Sequence, residues 1–148
     1  MVEIERVTTL ARPTAVVRGE TTQPEIPKKL IEFLDEVYAA AKSGAFTQDG
    51  QNIAVYGVNA NPFPMEAGIE VAPGFTEPAG RVVPSTLPAG EAVRAVHVGP
   101  YQELRRTYEA VQAWARNEGV ALGVCWEVYG DWEEDESKLT TEVFHLIV

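Results

Sequence analysis

Cysteine is all but missing from this chain of 148 residues: Cys125 stands alone. An internal disulfide and a cysteine-rich zinc site are both excluded. The two histidines, His97 and His145, show no close ligand spacing, so no metal site is expected. Neither GxGxxG nor GxxxxGK occurs, which removes the phosphate-cradling loops of nucleotide cofactors, and no cofactor is expected. Basic residues are scarce, with 12 Lys and Arg against 22 Asp and Glu for a net charge of −10. Such a surface repels nucleic-acid backbones and anionic head groups, so no direct nucleic-acid partner and no membrane partner are expected. Long apolar runs are absent too. No stretch approaches the roughly 18 residues needed to span a bilayer, and Met1-Val2-Glu3-Ile4-Glu5-Arg6 lacks the basic start and apolar run of a secretory signal. These absences point to a cytoplasmic protein.

What remains is ordinary globular material. Hydrophobic residues make up 45% of the chain, enough for one core, and the length suits a single domain over residues 1–148. Thr14 to Arg18 reads as a strand closed by Gly19. Leu30, Phe33, Leu34, Val37 and Ala41 then recur at helical spacing between Pro27 and Gly44. Strands are expected at Ile53–Val58 and Ala67–Ala72, joined by a loop with Asn59, Asn61, Pro62 and Pro64. After Gly80 come Arg81–Pro84 and Glu91–Val98, and Gly99-Pro100 stops the second strand and opens a helix with proline at its first position. Tyr101, Leu104, Tyr108, Val111 and Ala115 mark one face of that helix, and Gly119 ends it. Val124–Tyr129 and Leu139–Val148 supply two more strands, with the acidic turn Glu133–Glu136 between them.

The order strand, helix, strand, strand therefore occurs twice, and residue matches follow it. Ala15-Val16-Val17-Arg18-Gly19 resembles Ala95-Val96-His97-Val98-Gly99, Val55-Tyr56-Gly57 matches Val128-Tyr129-Gly130, and Glu70-Val71 matches Glu142-Val143. The expected fold is α+β, with two duplicated units of about residues 1–78 and 79–148. Their antiparallel strands would carry helices on one face and leave a ligand groove between the halves.

Alternation places Cys125, Glu127 and Tyr129 on one strand face, with Trp126 and Val128 facing a core. Glu142, Phe144 and Leu146 go together on the last strand, and Tyr56 lies on a strand of the first half. The expectation is that these carboxylates and aromatics line corresponding faces of the groove. A glutamate in mid-strand is poor strand material, and burial raises its pKa unless a cation or a donor compensates. An organic cation would neutralise it, while flat rings add cation–π contacts of about 0.5–2 kcal/mol each. Blander readings accompany each residue: His97 as a structural histidine at a turn, His145 as core, Cys125 as a small buried thiol, and the carboxylates as solvated strand residues.

Three segments, His97-Val98-Gly99-Pro100-Tyr101, Trp126-Glu127-Val128-Tyr129 and Leu139-Thr140-Thr141-Glu142-Val143-Phe144, resemble the H-x-G-P-Y, E-x-Y and L-x-T-E-aliphatic-aromatic pattern of the GyrI-like small-molecule-binding family. That family includes the effector-binding domains of AraC-type and MerR-type transcription regulators. The resemblance implies Glu127 as the anchor for cationic, aromatic, multidrug-type ligands, with Glu142 and Phe144 helping to line the site; the strand faces add Tyr56 and Tyr129 as expected walls. No helix-turn-helix segment precedes the first strand, so a stand-alone member is expected, acting by sequestration or by sensing through a separate regulator protein. The alternative implied is a hydrolase of reactive electrophiles, with Glu127 as general base and Tyr129 orienting the substrate.

Overall fold

In the computed structural model, which describes residues 2–58 and 60–148, the chain forms one eight-stranded antiparallel sheet with two helices. Met1 and Asn59, both named above, lie outside the described residues. The strands are β1 (Glu3–Thr9), β2 (Arg12–Thr21), β3 (Gln48–Tyr56), β4 (Phe63–Val71), β5 (Val83–Leu87), β6 (Gly90–Val98), β7 (Leu122–Tyr129) and β8 (Thr140–Ile147). Their order in the sheet is β1-β6-β8-β7-β3-β4-β2-β5. Helix α1 (Ile26–Lys42) follows β2, and α2 (Leu104–Glu118) follows β6.

Both helices cover one face of the sheet. Phe33 and Val37 of α1 are buried against Ala15, Val17, Ala67 and Ile69, while Val111 of α2 packs on Val93 and Ala95. A side chain at Gly68 would put a Cβ 1.8 Å from the Ala15 carbonyl oxygen, so glycine is what lets β4 lie this close to β2. Gly119, at φ +69°, caps α2 in the left-handed region that glycine enters without strain.

The opposite face carries its own apolar cluster, in which Val16, Ile53, Leu87, Ala92 and Trp126 are buried and Val7, Val128, Phe144 and Leu146 pack around them. No helix lies on this face among the described residues. Its cover comes from the outer strands, which exchange partners. By chain order β1 leads into β2 and β5 into β6, yet β1 pairs with β6 and β5 with β2. The two short links therefore meet, and the Thr9 hydroxyl donates to the carbonyls of Pro88 (2.9 Å) and Gly90 (3.2 Å).

Several sequence expectations shift. Strand β1 is absent from the expected elements, because an edge strand half-buried on both sides, with Ile4 facing α2 and Val7 the opposite face, shows no clean alternation. The segment at Arg81–Pro84 becomes β5 and runs to Leu87. Pro64, expected in a loop, sits inside β4, where its carbonyl still accepts from Gly57 N–H at 2.9 Å. Pro100 precedes a 3₁₀ turn at Tyr101–Glu103, and α2 begins only at Leu104.

Candidate functional site

Glu127 is 6% exposed at the centre of the sheet, where β7 meets β3 and Ala54 is its cross-strand neighbour. It points to the helix side. The Tyr108 hydroxyl from α2 and the Tyr129 hydroxyl from β7 each donate to it at 2.5 Å, one to each carboxylate oxygen. Tyr129 reaches Glu127 because residues two apart share a strand face. Tyr108 reaches it because α2 lies across β6 and turns that position down onto the sheet. Tyr56, on β3, is buried on the same face. Tyr101 meets Tyr129 edge-on with ring centroids 5.8 Å apart, and Phe63 meets Tyr56 likewise at 6.1 Å. Cys125 and His145 stand opposite each other on β7 and β8, and the His145 ring is edge-on to Tyr108 at 5.5 Å.

Among the described residues no cationic side chain pairs with Glu127. Burial raises its pKa above the ordinary carboxylate value, and the two tyrosine donors offset this only partly. The same burial, reinforced by the nearby carboxylate, pushes Tyr108 and Tyr129 well up and lifts the Cys125 thiol to about 12. Cys125 is thus a neutral packing thiol. His145 is held down to about 4 by burial and stays neutral. Its Nδ1 and the hydroxyl of Thr141, which lies cross-strand from Tyr129, are buried without hydrogen-bond partners. His97 is structural, joining the Thr107 hydroxyl and the Pro100 carbonyl, each at 2.9 Å.

The five residues expected to form one site do not meet. Glu127, Tyr129 and Tyr56 come together beneath the helices, whereas Glu142 and Phe144 face the other side of the sheet. The cross-strand register decides this: Phe144 lies opposite Trp126 and Glu142 opposite Val128, so both share the face that excludes Glu127. The expectation of corresponding faces is corrected here. Alternation orders the side chains within each strand, but only the register between strands says which sets coincide. Tyr108 is not among the expected site residues, although its spacing with Val111 and Ala115 on one face of α2 directs it at the sheet.

Two cavities adjoin these groups. One, of about 340 Å³, runs along the outer flank of α2 beside Tyr108, with Arg105, Glu109, Gln112 and Arg116. The other, of about 290 Å³, opens on the helix-free face over Trp126, Val128, Glu142 and Phe144. No group of His, Cys, Asp or Glu among the described residues is arranged to hold a metal ion, and no described helix is long and apolar enough to cross a membrane.

The GyrI-like small molecule binding domain family matches residues 2–147. No curated protein matches the sequence. Among solved structures, the C-terminal domain of EcmrR superposes with a TM-score of 0.81 at 19% identity, covering 100% of this chain and 97% of that one. A structure of SAV2435 bound to tetraphenylphosphonium gives 0.68 at 10% identity, with coverage of 99% and 94%. A hydrolase from Listeria innocua gives 0.61 at 16% identity, with coverage of 99% and 92%.

Proposed function

The chain belongs to the GyrI-like small molecule binding domain family, and on that premise we propose that it binds amphipathic, aromatic cations at Glu127, with Tyr56 and Tyr129 as walls. The observation that carries this reading is a buried carboxylate that accepts from two hydroxyl groups and forms no ion pair among the described residues. A ligand cation supplies the missing charge. Tyr108 is the point of entry, since it both donates to Glu127 and lines the cavity along α2. Moving its ring aside frees one carboxylate oxygen and opens the rings of Tyr56 and Tyr129 to stacking. The unpartnered Thr141 hydroxyl and His145 Nδ1 on the same face favour ligands with hydrogen-bonding groups. The two like halves work as a single binding unit, serving sequestration or sensing through a separate regulator protein.

Thermal unfolding with tetraphenylphosphonium, the cation named for SAV2435, tests the reading. At a hundredfold excess over its dissociation constant a ligand stabilises by about 2.7 kcal/mol. The wild type should gain such an increment and Glu127→Gln should lose most of it. Equal stabilisation of both proteins would refute the anchor. Because the cation pairs with the ionised carboxylate, affinity should rise as pH climbs through the raised pKa of Glu127.

A second reading, hydrolysis of reactive electrophiles, is favoured by one observation: a carboxylate with a raised pKa is a stronger general base. Glu127 would take a proton from water as the water oxygen bonds to the electrophilic carbon; the C–O bond to the leaving oxygen breaks and that oxygen takes up the proton, while Tyr129 orients the substrate. Consumption of epoxides or activated esters by the wild type, and not by Glu127→Gln, would establish turnover.

A further inference from the structure

We propose a second, separate binding site for flat aromatic monocations in the groove on the helix-free face, anchored by Glu142. The rings of Trp126 and Phe144 lie parallel, 7° apart in tilt and 5.1 Å between centroids. With Val128 this stack forms the apolar floor of the groove, and Phe144 is its partly exposed ring. Leu10 and Pro88, one from each crossing link, form the lip, so the groove is built by both halves of the chain. Leu10 is 79% exposed there.

The charges around this floor leave one negative charge over. Glu70 is fully engaged, accepting from the Gln51 N–H at 2.9 Å and pairing with Arg12 at 2.9 Å. That pair is neutral. On the other side a single guanidinium serves two carboxylates, because Arg94 donates to Glu142 at 2.6 Å and to Glu5 at 3.0 Å. Only one Glu142 oxygen is used, and the other has no partner among the described residues. A monocation completes this set, and a fused ring system extends the Trp126–Phe144 stack. The volume of about 290 Å³ suits a body of two or three fused rings. Unlike the Glu127 site, this one is open before the ligand arrives, so binding here requires no ring to move aside.

Proflavine, a three-ring monocation, and acridine, the same ring frame uncharged at pH 8, are suitable probes in equilibrium dialysis. The wild type should bind two proflavine molecules per chain. Glu142→Gln and the lip variant Leu10→Arg should each weaken one event at least tenfold and leave the other intact, and Glu127→Gln should do the reverse. Acridine should occupy the groove at least tenfold more weakly. If Glu142→Gln and Leu10→Arg bind proflavine as the wild type does, the second site is overturned, whatever Glu127→Gln shows. Loss of one event in Glu127→Gln then decides the helix-face reading independently. Acridine held as tightly as proflavine would overturn the assignment to cations. Unchanged thermal unfolding of Leu10→Arg, an exposed position, keeps any loss of binding from being read as misfolding.

Discussion

The two faces of the sheet treat their carboxylates in opposite ways. On the helix face Glu127 is sealed beneath tyrosines, with hydroxyl donors but no ion pair among the described residues. On the bare face Glu70 and Glu142 meet arginines, and the apolar floor stays partly open. A carboxylate under a helix is governed by desolvation, so its energetics follow pH. One beside an arginine at a groove mouth is governed by pairing and packing, and its energetics follow salt and side-chain volume.

The largest expected effect tests packing on the bare face. Trp126→Ala removes a 2% exposed side chain from the middle of that cluster and should cost about 3–5 kcal/mol in urea unfolding. A loss below 1 kcal/mol would mean that this face collapses easily and is no preformed floor. Next comes the acid limb of the helix face. His145 has a folded pKa lowered to about 4 from 6.5, so the unfolded chain binds the extra proton between those values. Its contribution is complete above pH 6.5 and lost as pH falls towards 4, on the order of 3 kcal/mol. Replacing it with Phe should flatten that limb.

Glu127 has the opposite sign. Its folded pKa is raised, so the stability tied to its protonated form is full below the ordinary carboxylate value and declines as pH rises through the folded one. Glu127→Gln should therefore be the more stable protein at neutral pH, by roughly 1 kcal/mol, and lack that decline. Arg12→Met should cost about 1 kcal/mol, because it strips the cation from buried Glu70 while the Gln51 N–H remains and Arg12 itself is mostly exposed. Smallest of all, Glu109→Gln breaks an exposed pair with Arg105 on α2 and should change stability by less than about 0.5 kcal/mol. A large effect there would mean that the α2 flank beside Tyr108 is organised by charge.

Much of this architecture was legible in the residues. Helix α1 follows from Leu30, Phe33, Leu34 and Val37 at helical spacing, and the end of α2 from Gly119, whereas its start lies four residues beyond Pro100, after a 3₁₀ turn. Strand β7 is apparent from β-branched and aromatic residues around a misplaced glutamate. Strand β1 was hidden, since a charged edge strand draws its stability from pairing with β6 rather than from its own pattern. The role of Tyr108 was half visible: the helical period gave its direction, and the identity of what lay beneath it was nonlocal.

By itself the sequence determined the α+β class, a strand-helix-strand-strand order repeated twice to which the structure adds β1, the two helices and the choice of Glu127 as a carboxylate out of place in a strand. These depend on local periodicity and on capping residues, which act within a few positions along the chain. Tertiary structure alone decided that β1 and β5 exchange halves, that Tyr108 closes over Glu127, and that Glu142 and Phe144 lie on the opposite face. Each of these depends on the register between strands distant in sequence, where a slip of one residue sends every side chain to the other side of the sheet.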